Sequence, residues 1–144
     1  MPTPRRGRAR AARAIAQLIE LLARSLASRG FSHGLNPAQW AALRYVAQAD
    51  EDARTIGAFA RFHLTTPSSA SQTISALVKK KLIVKTKGGD SRRRSLELTL
   101  KGRRSLRNDP IAELTRAIHG LSDDQLFLMA EIMDQLTKAA PPIQ

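Results

Sequence analysis

Three arginines in a row, Arg92, Arg93 and Arg94, follow Gly88, Gly89 and Asp90 and precede Leu96, Leu98 and Leu100, which alternate with Glu97, Thr99 and Lys101. Guanidinium groups hold phosphate oxygens through paired hydrogen bonds and suit the narrow, negative minor groove of DNA better than ammonium groups do. A second chemistry-bearing stretch lies upstream, where Ser68, Ser69, Ser71, Gln72, Thr73 and Ser75 are short or uncharged hydrogen-bonding side chains. Such groups let a helix approach bases and phosphates closely, and Gln72 is long enough to reach an adenine edge in the major groove. Lys79, Lys80 and Lys81 follow directly.

Other chemistries find no support. His33, His63 and His119 are scattered, without the four-residue spacing or neighbouring carboxylates of a zinc site. The chain has no cysteine, which excludes disulfides, thiolate metal sites, cysteine nucleophiles and thiol redox switching. Gly-rich phosphate loops, a serine elbow and paired catalytic carboxylates are also missing, so no catalytic residue, metal or cofactor is expected. Asp50, Glu51 and Asp52 lack the spacing of a calcium loop and read as a solvated turn.

The whole composition points the same way as the arginines. Among 144 residues, 24 Lys and Arg stand against 12 Asp and Glu, giving a net charge of +12. A field of that strength gathers a polyanion. Positive charge is concentrated in residues 61–107, with thirteen Lys and Arg against Asp90 and Glu97; residues 108–144 reverse the balance with six acids against Arg116 and Lys138. No run of about 18 apolar residues is present to span a membrane, and a cytoplasmic location is expected. Arg5, Arg6, Arg8, Arg10 and Arg13 form a basic N-terminal arm over residues 1–10 and just beyond. An organellar transit peptide is the other reading of that segment, but it runs unbroken into a helix. Whether the arm touches phosphate or only solubilises the chain is open.

The elements that must position these groups follow from periodicity and caps. Ile15, Leu18, Ile19, Leu22 and Leu26 make one apolar stripe on a first helix over about residues 10–28, ended by Gly30. Asn36 and Pro37 open a second helix through about Gln48, with Trp40, Leu43 and Ala47 on one face. Thr55 caps a short third helix with Ile56, Phe59, Ala60 and His63 facing inward. Thr66 caps a fourth, with Pro67 in its first turn, Ala70, Ile74, Leu77 and Val78 buried and the serine-rich face outward. After Lys81 the period changes to two, and two strands joined by a Gly-containing turn form a hairpin. The fold class is mainly α with a small β-hairpin wing: helix, turn, helix, hairpin is a winged helix-turn-helix.

In length, element order and motifs the chain resembles the MarR family of transcription regulators from about residue 11 to 138. LNPAQWAALRYV is similar to that family's second helix, TIGAFARFHLTTPSSASQTISALVKKKLI to its helix-turn-helix, and GDSRRRSLELTLKG to its wing. Asp90, Arg92, Leu98, Thr99 and Gly102 fall on the wing spacing. The resemblance implies a homodimer whose winged lobes each bind half of a pseudo-palindrome of double-stranded DNA. It implies a recognition helix over Pro67–Lys80, with Thr66, Pro67, Ser68, Ser69, Ser71, Gln72, Ser75 and Lys79 at the DNA. Arg92 would then enter the minor groove, oriented by Asp90 and flanked by Arg93 and Arg94. Two departures stand out: Lys81 replaces the usual glycine that closes the recognition helix, and Gln72 and Ala76 stand where arginine is common, so base contacts do not carry over.

The C-terminal residues agree with a dimer. Ser122 to Gln125 is a capping box, and beyond it Leu126, Met129, Ile132, Met133 and Leu136 belong to a helix that is apolar around almost its whole circumference. A partner subunit is the economical cover. With Ile15, Leu18 and Leu22 these form the expected dimer interface, so that residues 11–34 and 103–144 make a helical dimerisation region and 35–102 the winged DNA-binding lobe. Ile111, Leu114 and Ile118 extend the stripe on a preceding helix that starts after Thr99. The resemblance also implies a cleft for a small aromatic or phenolic effector near Phe31, His33, Trp40 and Arg44, though core packing explains Trp40 and Phe31 equally well. A sequence-specific regulator is thus expected, with a non-specific or architectural nucleic-acid binder and a protein-interaction module as the alternatives.

Overall fold

The computed structural model describes residues 4–87 and 94–140. They form seven α-helices and one antiparallel hairpin, and the chain divides into two compact units, residues 1–37 and 38–144.

The N-terminal unit is one long helix and a tight loop. Helix α1 runs Pro4–Arg29. It starts some six residues before the expected position, because Ala and Arg are strong helix formers and carry the helix back through the basic arm. The Gly30 N–H closes it on the Leu26 carbonyl at 2.9 Å. A side chain at Gly30 would collide with the Pro37 ring. Between them, Ser32 and Leu35 bridge across His33 and Gly34, which both have positive φ, the pattern of a type I′ turn.

The second unit holds the core. Helix α2, Pro37–Gln48, buries Trp40, Leu43 and Val46, whereas Ala47 is exposed, contrary to its expected place on the inner face. A single 3-10 turn, Glu51–Ala53, exposes its acids as expected and is tied back by the Tyr45 hydroxyl, which donates to the Ala53 carbonyl at 2.7 Å. Helix α3 (Ile56–Phe62) and helix α4 (Pro67–Lys79) are each opened by a threonine whose hydroxyl accepts a backbone N–H: Thr55 from Ala58, Thr66 from Ser69. Strands β1 (Ile83–Lys87) and β2 (Arg94–Leu98) pair with Ile83 opposite Leu98 and Lys87 opposite Arg94. Trp40, Leu43, Phe59, Ile74, Leu77, Ile83 and Leu96 are the large side chains fully enclosed. At about 1.5–3 kcal/mol for each such side chain, they dominate the packing of the lobe.

Both helices of the helix-turn-helix end alike. Leu64 and Lys81 follow their C-caps in the left-handed region, at φ 53° and 61°. After α3 the Leu64 and Thr65 amides bond back to the Arg61 and Ala60 carbonyls; after α4 the Lys81 and Leu82 amides bond to Val78 and Leu77. Each is a Schellman motif built without glycine. The turn at Lys81 is therefore made in the usual geometry and carries the steric strain of a β-carbon.

Two expectations downstream are corrected. Leu100 does not continue β2: Thr99 ends the strand by capping helix α5, Leu100–Ser105, and Leu100 is exposed. Nor is there one helix from Thr99 onward. A 3-10 turn at Leu106–Asn108 leads to Asp109 with ψ 123°, the extended backbone that a following proline enforces, here Pro110. Helix α6, Ala112–His119, starts afresh beyond it. Helix α7, Asp123–Ala139, carries the expected capping box between Ser122 and Gln125.

Candidate nucleic-acid interface

The centre of the candidate interface is α4. Its inward residues Ala70, Ile74 and Leu77 are fully buried, which fixes the rotation of the helix. Ser68, Gln72, Ser75 and Lys79 are in consequence exposed, while Ser71 and Thr73 are half-buried. At its start Thr66 accepts the Ser69 N–H at 3.1 Å and donates to the Ser69 hydroxyl at 3.0 Å, so these two side chains are engaged with each other and with the cap. Pro67 occupies the first turn. At the other end Lys80 donates to Gln39 on α2 at 3.3 Å, and Lys101 donates to the Lys80 carbonyl at 3.1 Å. The helix is held at both ends and exposes uncharged hydrogen-bonding groups between them.

The hairpin is set beside α4 by backbone contacts. The Leu96 N–H donates to the Arg54 carbonyl at 2.7 Å, so β2 gains a bond from the segment before α3, and the Thr99 amide reaches the Leu82 carbonyl at 3.1 Å. Gly102 is buried, and a β-carbon there would fall onto the Leu82 carbonyl oxygen. That close approach explains the glycine of the wing motif, as the Thr99 cap on the Gly102 N–H explains its threonine. Lys85, Lys87 and Arg94 are exposed along the hairpin. Lys87 and Arg94 face each other across it, a like-charge pairing that weakens a hairpin in isolation and suits one that meets an anion. Asp90, Arg92 and Arg93 lie outside the described residues.

The expected effector residues do not share one environment. Trp40 is core, 1% exposed; Phe31 and His33 are exposed in the N-terminal unit. Arg44 lines a cleft of about 530 Å³ together with Ala41, Tyr45 and Gln48 of α2, Ala49, Phe62 and His63 at the end of α3, and Ile111. Its guanidinium is already paired with the Asp109 carboxylate at 2.7 Å. The cleft is aromatic: Tyr45 lies 5.0 Å from Phe62 and 5.6 Å from Phe59 between ring centroids, and His63 stacks on Phe59 at 5.3 Å. Burial, and next the Arg44 charge, hold the His63 imidazole below its usual pKa. Sequence reasoning missed Tyr45 and Phe62 because only the crossing of α2 and α3 brings them together.

On the expected dimer residues, Ile15, Leu18 and Leu22 of α1 and Leu126, Met129, Ile132, Met133 and Leu136 of α7 are all exposed. Among the described residues no group of three His, Asp or Glu could hold a metal, and no helix is long and apolar enough to cross a membrane.

Residues 33–94 match the model of the MarR family. This segment is similar to the winged helix-turn-helix of the MarR family. Solved structures extend the likeness in fold to nearly the whole chain. A MarR family transcriptional regulator from Silicibacter pomeroyi superposes with a TM-score of 0.68 at 22% identity, covering 94% of this chain and 91% of that one. S. aureus MepR is similar in two forms: a mutant bound to an oligodeoxyribonucleotide (TM-score 0.58, 18% identity, 90% and 98% covered) and a form bound to ethidium bromide (0.54, 19%, 90% and 96%). Among curated proteins none has significant sequence similarity to the chain. That likeness fits the mainly helical architecture with one hairpin among the described residues.

Proposed function

We propose that this protein is a homodimeric, sequence-specific DNA-binding transcription regulator of the cytoplasm that binds a pseudo-palindromic operator. The observation that carries this reading is the exposed serine and glutamine face of α4, held at both ends and bordered by Lys79 and by the cationic edge of the hairpin. Surface helices ordinarily carry Glu and Lys for solubility, and serine lowers helix propensity. Here propensity is given up for groups that hydrogen-bond base edges, while Lys and Arg supply phosphate contacts and register. The exposed apolar residues of α7 support dimerisation, and a dimer supplies two such helices for two half-sites. The aromatic cleft around Tyr45, Phe62 and His63 supports release by a small aromatic effector, in line with the ethidium held by the similar MepR.

Selection of bound duplexes from a random pool tests the reading. An enriched inverted repeat, bound about 10³-fold or more tightly than scrambled duplex, is expected. Equal retention of all sequences would leave an architectural binder instead.

A further inference from the structure

We propose that the first turns of α1 form a second DNA site, separate from the winged lobe, which holds the phosphate backbone of a further stretch of duplex while the lobe occupies its operator. These turns lie outside residues 33–94, the part similar to the MarR family.

Residues 5–14 are five arginines, four alanines and Gly7, all exposed. They are already helical, since α1 begins at Pro4. At about 3.6 residues per turn, Arg6, Arg10 and Arg13 stand in one row, on the side opposite the stripe of Ile15, Leu18 and Leu22, with Arg5 and Arg8 elsewhere round the helix. Taken alone, this arrangement is electrostatically unfavourable. No acid occupies the first turn, the end of a helix where the macrodipole opposes cations. Arg6 and Arg10 are four residues apart, and Arg5 and Arg8, like Arg10 and Arg13, are three apart, spacings at which like charges repel. Glu20 is the first acid of the chain, so no carboxylate stands three or four residues from any of the five. Helix α7 begins in the opposite manner, with Asp123 and Asp124 in its first turn. A helix that served solubility alone would mix the two signs. One that meets a polyanion has its repulsion relieved on binding.

The side chains select duplex among polyanions. Guanidinium forks pair with phosphate oxygens, and alanine and glycine between them put nothing bulky in the way. Between Pro4 and Ile15 no apolar side chain is larger than alanine, so these turns have nothing to sink into a lipid surface. No aromatic residue precedes Phe31, so unpaired bases would find no ring to stack on. What is left is contact with the backbone of a duplex, without base reading. The inference deepens the proposed function and rests on it for its consequence, the joining of an operator to a further stretch of DNA.

Duplex capture with the full chain tests the site. Immobilised operator loaded with the wild type should retain a labelled random duplex, or the operator should bind more tightly once random flanks are added. The first result places the further stretch on a separate molecule, the second on the same one. Arg6→Gln/Arg10→Gln/Arg13→Gln should lower that retention or flank gain about tenfold or more and make its salt dependence shallower by roughly two to three units per subunit. Its affinity for the short operator should stay that of the wild type, and its helix content by circular dichroism should be equal or greater. Arg103→Gln/Arg104→Gln/Arg107→Gln removes the same charge from exposed residues elsewhere and should leave retention and flank gain unchanged. The site is overturned if the wild type shows neither effect, if both triple variants lose equally, or if vesicles of phosphatidylserine and phosphatidylcholine are bound more strongly than duplex. Weaker binding of the short operator, or a fall in helix content, in the N-terminal variant overturns it too. A chain that holds random duplex through these arginines but selects no inverted repeat overturns the proposed function and leaves the site standing.

Discussion

The Thr99 hydroxyl donates a 2.6 Å hydrogen bond to the carbonyl of Lys81, the residue that turns the chain from α4 into the hairpin in a left-handed conformation. One threonine thus holds the end of α4 and, by accepting the Gly102 N–H at 3.0 Å, the start of α5. Lys81→Gly removes the β-carbon strain and should raise stability by about 1 kcal/mol. Thr99→Ala should lower it by about 1–2 kcal/mol. Urea denaturation of both variants measures these changes, and a Lys81→Gly variant no more stable than the parent contradicts the strain.

Gly102 is set by contact rather than by backbone angle. Its Cα hydrogen takes up the space against the Leu82 carbonyl where a methyl group would sit. Gly102→Ala must push α5 away from the start of β1, and a loss of about 2 kcal/mol is expected. Because the hairpin moves with that contact, DNA affinity should fall as well. Thermal unfolding and duplex titration of one variant check both effects.

His63 should make stability dependent on pH. Its pKa is depressed in the folded chain, through burial first and the Arg44 charge second, so the unfolded chain takes up the proton more readily. Its contribution is complete above the unfolded value of about 6.5 and is lost as pH falls through the folded value. Between about pH 7.5 and about pH 5.5 the wild type should lose more stability than His63→Gln. Arg44→Ala should raise the imidazole pKa part of the way back, measurable by proton NMR. Equal pH profiles for wild type and His63→Gln would contradict this.

Gln72 and Lys79 should fail in different ways. Gln72→Ala removes the proposed base-reading group, so binding to the selected operator should weaken by about 1–3 kcal/mol while non-specific binding is unchanged. Lys79→Ala should weaken operator and random duplex alike and make the salt dependence shallower by roughly one unit per subunit. For the proposed wild-type dimer a log–log slope of roughly −5 to −9 is expected from 6 to 10 phosphate contacts. Fluorescence anisotropy across a salt series separates the two variants.

Local chemistry made much of this legible in advance. Thr55, Thr66 and Ser122 announce their helices because a cap and the amide it satisfies lie within three residues of each other. The buried face of α4, apart from Val78, which is only half-buried, and the two strands of the hairpin are equally plain from the change of period. The even alternation of Leu96, Leu98 and Leu100 misleads at its last member, because Thr99 can serve as strand residue or as cap and only its contact with Lys81 decides. Pro110 was visible, but the break it makes was hidden by the apolar spacing on either side. Arg54 and Arg103, 49 positions apart, come to line one cleft only through the tertiary path of β2 and α5. No local pattern records such a meeting.

In the proposed homodimer, the exposed apolar side chains of α7 would tie the molecule's survival to its own abundance. With a second subunit as their cover, mass action decides how many chains are protected, and a lone subunit offers an oily helix to proteases and to other greasy surfaces. Halving synthesis would then remove more than half of the assembled form, so a regulator built this way answers to gene dosage more steeply than in proportion.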